Sequence, residues 1–70
     1  MEPIKGYRDL SADEIALINR IKELGGMLET CVNDLRHNEH TDKRWVSIGA
    51  TDCQTGLMAL VRSVAQPTTF

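Results

Sequence analysis

Apolar residues recur along the chain with a helical period in two separate blocks. In the first, Leu17, Ile21, Leu24, Leu28, Cys31 and Leu35 step by four and three in turn. That spacing places all six on one helix face, as in a heptad seam. In the second, Val46, Ala50, Cys53, Leu57, Leu60 and Val64 repeat the same steps. Between the blocks lies the polar stretch HNEHTD, residues 37–42, suited to a turn. Ser11 followed three residues later by Glu14 fits a capping box at the start of the first helix. Asp13 and Glu14 also suit the positive end of the helix dipole. Thr41 or Asp42 can cap the second helix, and Pro67 stops it, because the residue before proline avoids helical geometry.

The pattern therefore predicts an all-α fold in one domain, 1–70. It divides into a short N-terminal arm over 1–10, helix one over 11–37, a turn over 38–41, helix two over 42–66 and a tail over 67–70. The two long antiparallel helices form a hairpin. Pairing Leu24 with Leu60, Leu28 with Leu57, Cys31 with Cys53 and Leu35 with Ala50 places the fold-back near residue 42, within the turn. That register also puts the two cysteines in one core layer as reduced thiols.

The seam does not use all the apolar surface. Ile15, Ile18 and Gly25 form a second flank on helix one, with Lys22 among them. On helix two, Trp45 heads a lane of small residues, Gly49, Gly56, Ala59 and Ser63, interrupted by Asp52. Gly25-Gly26 inside a long helix costs about 0.5–1 kcal/mol per glycine relative to alanine. A kink or a close backbone approach is expected there. At 70 residues, one hairpin has little core of its own. The leftover flanks therefore predict a homo-oligomeric helical bundle.

Composition narrows the function. Aromatics are only 4% of the chain, so the core is aliphatic and the single Trp, Tyr and Phe stand out. The net charge is −2 with acids and bases well mixed, which argues against duplex nucleic acid as a partner. No apolar run approaches a membrane span, and no stretch resembles a signal peptide, so no membrane role is expected. Cys31, Cys53, His37 and His40 do not have zinc-ligand spacing, and no metal or cofactor is expected. Neither a glycine-rich phosphate loop nor a nucleophile–base motif is present, so the chain does not read as an enzyme and no catalytic residue is assigned. One further lane of helix two, Arg44, Ile48, Thr51, Thr55, Met58 and Arg62, has two guanidiniums and two hydroxyls on one face. Arginine forms charge-assisted bonds to phosphate, so this lane is either a solvated face or an anion site.

The runs GYRDLSADEIALINRIKELG and RWVSIGATDCQTGLMALVRSVAQPTTF resemble the small phage proteins called anti-CBASS type 2. Those proteins share a helical hairpin domain with one group of anti-Thoeris sponges. The likeness covers residues 6 to 70; GYRDLS, RW, TD-x-Q-x-G-x-MAL-x-R and the closing PTTF carry it. The resemblance implies a non-catalytic sponge in the host bacterial cytoplasm. It would sequester cyclic dinucleotide signals, such as cyclic GMP-AMP, and so block effector activation in CBASS defence. It further implies a homohexamer, a trimer of dimers. The family's base-stacking tyrosine and phosphate-binding lysine match Tyr7 and Lys22. A separate cyclic trinucleotide site is implied on helix two, with Arg44, Thr51, Gln54 and Arg62 as candidates. Many relatives carry Arg where this chain has Ala50, which removes a cation from that site. The competing expectation is a small phage helical module that binds a host protein.

Overall fold

The computed structural model describes residues 9–67. Two helices, α1 (Ala12–His37) and α2 (Lys43–Ala65), fold back on each other as an antiparallel hairpin. Both starts are set by local chemistry. The Ser11 hydroxyl accepts from the Glu14 backbone N–H at 3.2 Å, and the Glu14 carboxylate accepts from the Ser11 N–H at 2.9 Å. This capping box satisfies two of the donors that a helix start leaves open. At α2, Asp42 Oδ1 accepts from the backbone N–H of Arg44 at 2.9 Å and of Trp45 at 3.3 Å.

Side chains tie the turn to both helices. The Thr41 hydroxyl donates to the Leu35 carbonyl at 2.5 Å and the Asn38 carbonyl at 3.0 Å. Lys43 Nζ donates to the Asn38 and Thr41 carbonyls. At the far end of α2, Gln66 adopts a left-handed conformation (φ 45°), and its N–H donates to the Arg62 carbonyl at 2.8 Å. This closes the helix immediately before Pro67.

The inner face of α2 is close to the pattern's expectation. Val46, Ala50, Cys53, Leu57 and Val64 are half-buried, but Val61 rather than Leu60 faces α1. The inner face of α1 is different. Ile18, Ile21, Gly25 and Val32 face the partner helix, while Leu17, Leu24, Leu28, Cys31 and Leu35 are exposed. Leu24 and Leu60, expected to pair in the core, are 49% and 51% exposed. Cys31 is likewise on the surface rather than in a core layer with Cys53, and both thiols are free.

Gly25 supplies the physical reason. A Cβ built there would lie 3.3 Å from Leu57 Cδ1, so the helices meet closely because that residue has no side chain. A leucine-faced seam would hold the backbones further apart. The fold-back implied by this Gly25–Leu57 approach is centred on residue 41, one residue before the expected centre. The Gly25-Gly26 step thus marks a close approach inside an uninterrupted helix. Over Gly26 there is open space, and the Thr30 hydroxyl donates to its carbonyl at 3.2 Å.

A paired substitution tests this packing. Gly26→Ala is expected to stabilise the fold by about 0.5–1 kcal/mol through helix propensity. Gly25→Leu is expected to destabilise it by about 1–3 kcal/mol through overpacking against Leu57. Urea unfolding followed at 222 nm reads both. Equal effects of the two changes would contradict the close approach.

A single hairpin buries very little. Among the described residues only Ile18 (9% exposed) and Ala65 (6%) are buried. The chain exposes 5910 Å², against about 4,400 Å² for a compact monomer of this mass. Its radius of gyration is 15.4 Å, where about 11 Å is usual at this length.

Candidate ligand grooves along the hairpin

The rotation of α1 gives the hairpin two unlike sides. At 100° per residue, Lys22, Glu29 and Asn33 flank the inner face on one side, and Leu24, Cys31 and Leu35 flank it on the other.

On the first side lie two neighbouring grooves that share Gly25 and Leu57. One has a volume of about 420 Å³ and is lined by Ile21, Lys22, Gly25, Leu57, Met58, Val61 and Arg62. Its floor is aliphatic, its rim carries one cation from each helix, and no carboxylate lines it among the described residues. Lys22 is exposed and makes no hydrogen bond or ion pair with any described residue. The second groove, also about 420 Å³, is more polar: Glu29, Asn33 and Arg36 from α1 meet Gln54 from α2.

On the other side a groove of about 510 Å³ runs between Leu28, Cys31 and Leu35 of α1 and Trp45, Gly49 and Cys53 of α2. Trp45 is 62% exposed, and the Arg44 guanidinium carbon sits 5.7 Å from its ring centroid. An aromatic ring held this way is capped by a cation over its face. Gly49 and Gly56 have open space above them.

Tyr7 lies outside the described residues, so Lys22 is the member of the expected dinucleotide pair that the geometry places. The four trinucleotide candidates do not gather into one site on a single chain. Arg44 stacks near Trp45, and Thr51 lines a shallow groove of about 310 Å³ with Ser47, Ile48 and Asp52. Gln54 lines one groove with Arg36, and Arg62 lines another with Lys22. Arg44 and Arg62 are 18 residues apart on one helix, about 27 Å at 1.5 Å per residue. The sequence reading missed Glu29, Asn33 and Arg36. Their i, i+4, i+7 spacing places them on one face, and that was the available signal.

Among the described residues no group of three or more His, Cys, Asp or Glu side chains converges as a metal site. Neither described helix is long and apolar enough to cross a membrane.

Two packed helices with ligand-sized grooves along both sides define a small all-α helical-hairpin protein. Comparison with known proteins places it more closely. Residues 2–65 match the family model described as the Acb2/Tad1 hairpin domain. The chain is also 35% identical to Anti-CBASS protein 2 of Pseudomonas phage JBD67, over 91% of each protein. This chain belongs to the Acb2/Tad1 hairpin family.

Proposed function

We propose that this chain is a phage anti-CBASS protein that captures cyclic dinucleotide signals stoichiometrically, without turnover, in the host bacterial cytoplasm. The observation that carries the reading is Lys22, exposed and unpartnered among the described residues at the rim of an aliphatic groove. A groove of this kind suits a nucleotide. Its floor accepts the face of a base or ribose, and a lysine ammonium is a compact partner for a phosphodiester. Tyr7 supplies base stacking from the arm, which contributes about 1–3 kcal/mol per base in nucleic-acid complexes. Kinship with a protein named for anti-CBASS activity supports the same reading.

A sponge must outcompete an effector, so its dissociation constant should be nanomolar or below, roughly −12 kcal/mol. One open groove is a weak source of that affinity. Assembly enlarges it. The apolar side, with its exposed leucines, Trp45 and the open glycines, packs against another copy of the chain. The surface beyond that of a compact monomer is about 1,500 Å² per chain, roughly twice the ~800 Å² that each partner buries in a standard interface. A hexamer built as a trimer of dimers brings Lys22 from two chains to one ligand.

Calorimetry with a cyclic purine dinucleotide tests the reading. Saturable nanomolar binding is expected, with the nucleotide recovered intact after denaturation. Absence of heat at tens of micromolar protein, together with recovery of a host protein on pull-down, would favour the interaction-module alternative instead.

The second site is proposed more narrowly. Cyclic trinucleotides would use Arg44, Thr51, Gln54 and Arg62 contributed by different copies, because no single chain gathers them.

A further inference from the structure

We propose that Glu29 selects the base of the captured dinucleotide, reading guanine in the polar groove beside Lys22; this assignment rests on the dinucleotide reading above. It follows from the continuity of the two grooves, which share Gly25 and Leu57 as floor. Lys22 lies to one side of that shared floor. Glu29, Asn33 and Arg36 follow on the other side, toward the turn. Glu29 stands seven residues beyond Lys22 on α1, about 10.5 Å at 1.5 Å per residue. A nucleotide spans a distance of that order from its phosphate to the far edge of its purine. A ligand anchored at Lys22 by a phosphate therefore reaches the polar groove with a base, and its ribose crosses the shared floor.

The lining of the polar groove is divided as a base requires. Val32, Ala50, Cys53 and Leu57 are half-buried and offer an apolar surface to the face of a ring. Glu29, Asn33, Arg36 and Gln54 are exposed around it, and their side chains make no hydrogen bond or ion pair with any described residue. Reading a base edge needs acceptors as well as donors. Among the described residues the Lys22 groove has neither a carboxylate nor an amide side chain on its lining. Discrimination between bases therefore falls to the neighbouring groove.

The four polar side chains have different tasks. The Glu29 carboxylate accepts and does not donate. Guanine presents two adjacent donors, N1–H and the N2 amino group, and both can donate to the two oxygens of one carboxylate. Its O6 and N7 are acceptors, for which a guanidinium is the commonest bidentate donor. Arg36 supplies one on the same groove, two turns beyond Glu29. Adenine reverses both contacts. Its N1 lone pair would face the Glu29 carboxylate, and its N6 amino group would meet the donors of Arg36. Asn33 and Gln54 each carry a donor and an acceptor, so they serve either base and leave the choice to Glu29.

The test is calorimetry on the full chain with cyclic GMP-AMP and with cyclic di-AMP. The variants are Glu29→Gln, Glu29→Ala and Lys22→Ala, each checked for helicity at 222 nm. Wild type is expected to bind cyclic GMP-AMP about 10- to 100-fold more tightly than cyclic di-AMP, the discrimination of one bidentate base contact. Glu29→Gln keeps the shape and helix propensity of the side chain. It adds a donor that can pair with adenine N1 while its oxygen accepts from N6. This variant should weaken cyclic GMP-AMP binding by about 10-fold or more and tighten cyclic di-AMP binding. Glu29→Ala should remove most of the preference, and Lys22→Ala should weaken both ligands alike, because it acts on phosphate. A purely structural role for Glu29 would move both ligands in the same direction. Equal wild-type affinities for the two ligands, or a Glu29→Gln shift of the same sign for both, would overturn the assignment while leaving the sponge reading intact. Absence of binding of either dinucleotide by wild type would overturn both.

Discussion

Lys22→Ala is expected to weaken cyclic dinucleotide binding by at least about 100-fold without changing the helical content. The size follows from counting contacts. A hydrogen bond to an ionised group contributes about 1.5–3 kcal/mol. In an assembly where two symmetry-related chains enclose one ligand, the substitution removes two such bonds, or about 3–6 kcal/mol. The fold should not notice, because Lys22 is exposed and makes no contact that α1 needs. Lys22→Arg should retain more affinity than Lys22→Ala but less than wild type, since a longer fork replaces a compact ammonium. Calorimetry with circular dichroism on the same samples separates ligand loss from unfolding. Full affinity in Lys22→Ala would remove this residue from the site.

The second large effect concerns stability. Leu24→Asp combined with Leu60→Asp is expected to dissociate the assembly and, with it, to abolish cooperative unfolding. Both leucines are about half exposed in the lone hairpin, so they contribute little to its internal packing. Their cost is expected to appear at the contact between copies. Truncating a buried leucine costs about 2–5 kcal/mol, and burying a carboxylate adds a desolvation penalty. Across a two-fold contact each change occurs twice. With only Ile18 and Ala65 buried among the described residues, the freed hairpin has almost no core to hold it. For the same reason the wild-type melting temperature should rise with protein concentration, as linkage between folding and association requires. Analytical ultracentrifugation and thermal melts over a hundredfold concentration range read both. A helical monomer with a concentration-independent Tm would contradict this account.

Much of the fold was legible in the sequence because its signals were local. Ser11 and Glu14 form their capping box, and Asp42 caps α2. The half-buried stripe of α2 lies where the pattern placed it, apart from the exchange of Leu60 for Val61. The face of α1 was not legible from hydrophobicity. Two stripes, one through Leu17, Leu24 and Leu35 and one through Ile18, Gly25 and Val32, share Ile21 and Leu28. A scale that weights side-chain hydrophobicity favours the leucines. The helices instead pack through the glycine, because dispersion rewards close approach of the backbones. The leucines are thereby left exposed on the lone hairpin.

The site follows the same division. Lys22 was identified through the resemblance, and its exposure at a groove agrees with a ligand role. That Lys22 and Arg62 line one groove was implicit in the fold-back, since an antiparallel register centred on residue 41 brings position 22 within two positions of Arg62 across the hairpin. Reading α2 as a single lane from Arg44 to Arg62 obscured this, because it grouped residues by one helix rather than across two. Tyr7 precedes the described residues, and its stacking role stands as a proposal that Tyr7→Ala would test beside Lys22→Ala.

Association is proposed to build the binding site, and native mass spectrometry tests this most directly. Spectra of the protein alone and with added cyclic GMP-AMP report assembly size and ligand count together. An assembly of several chains, six in the proposed arrangement, is expected to gain one dinucleotide per two chains. A monomer that binds one dinucleotide per chain, or an assembly that takes up none, would contradict it.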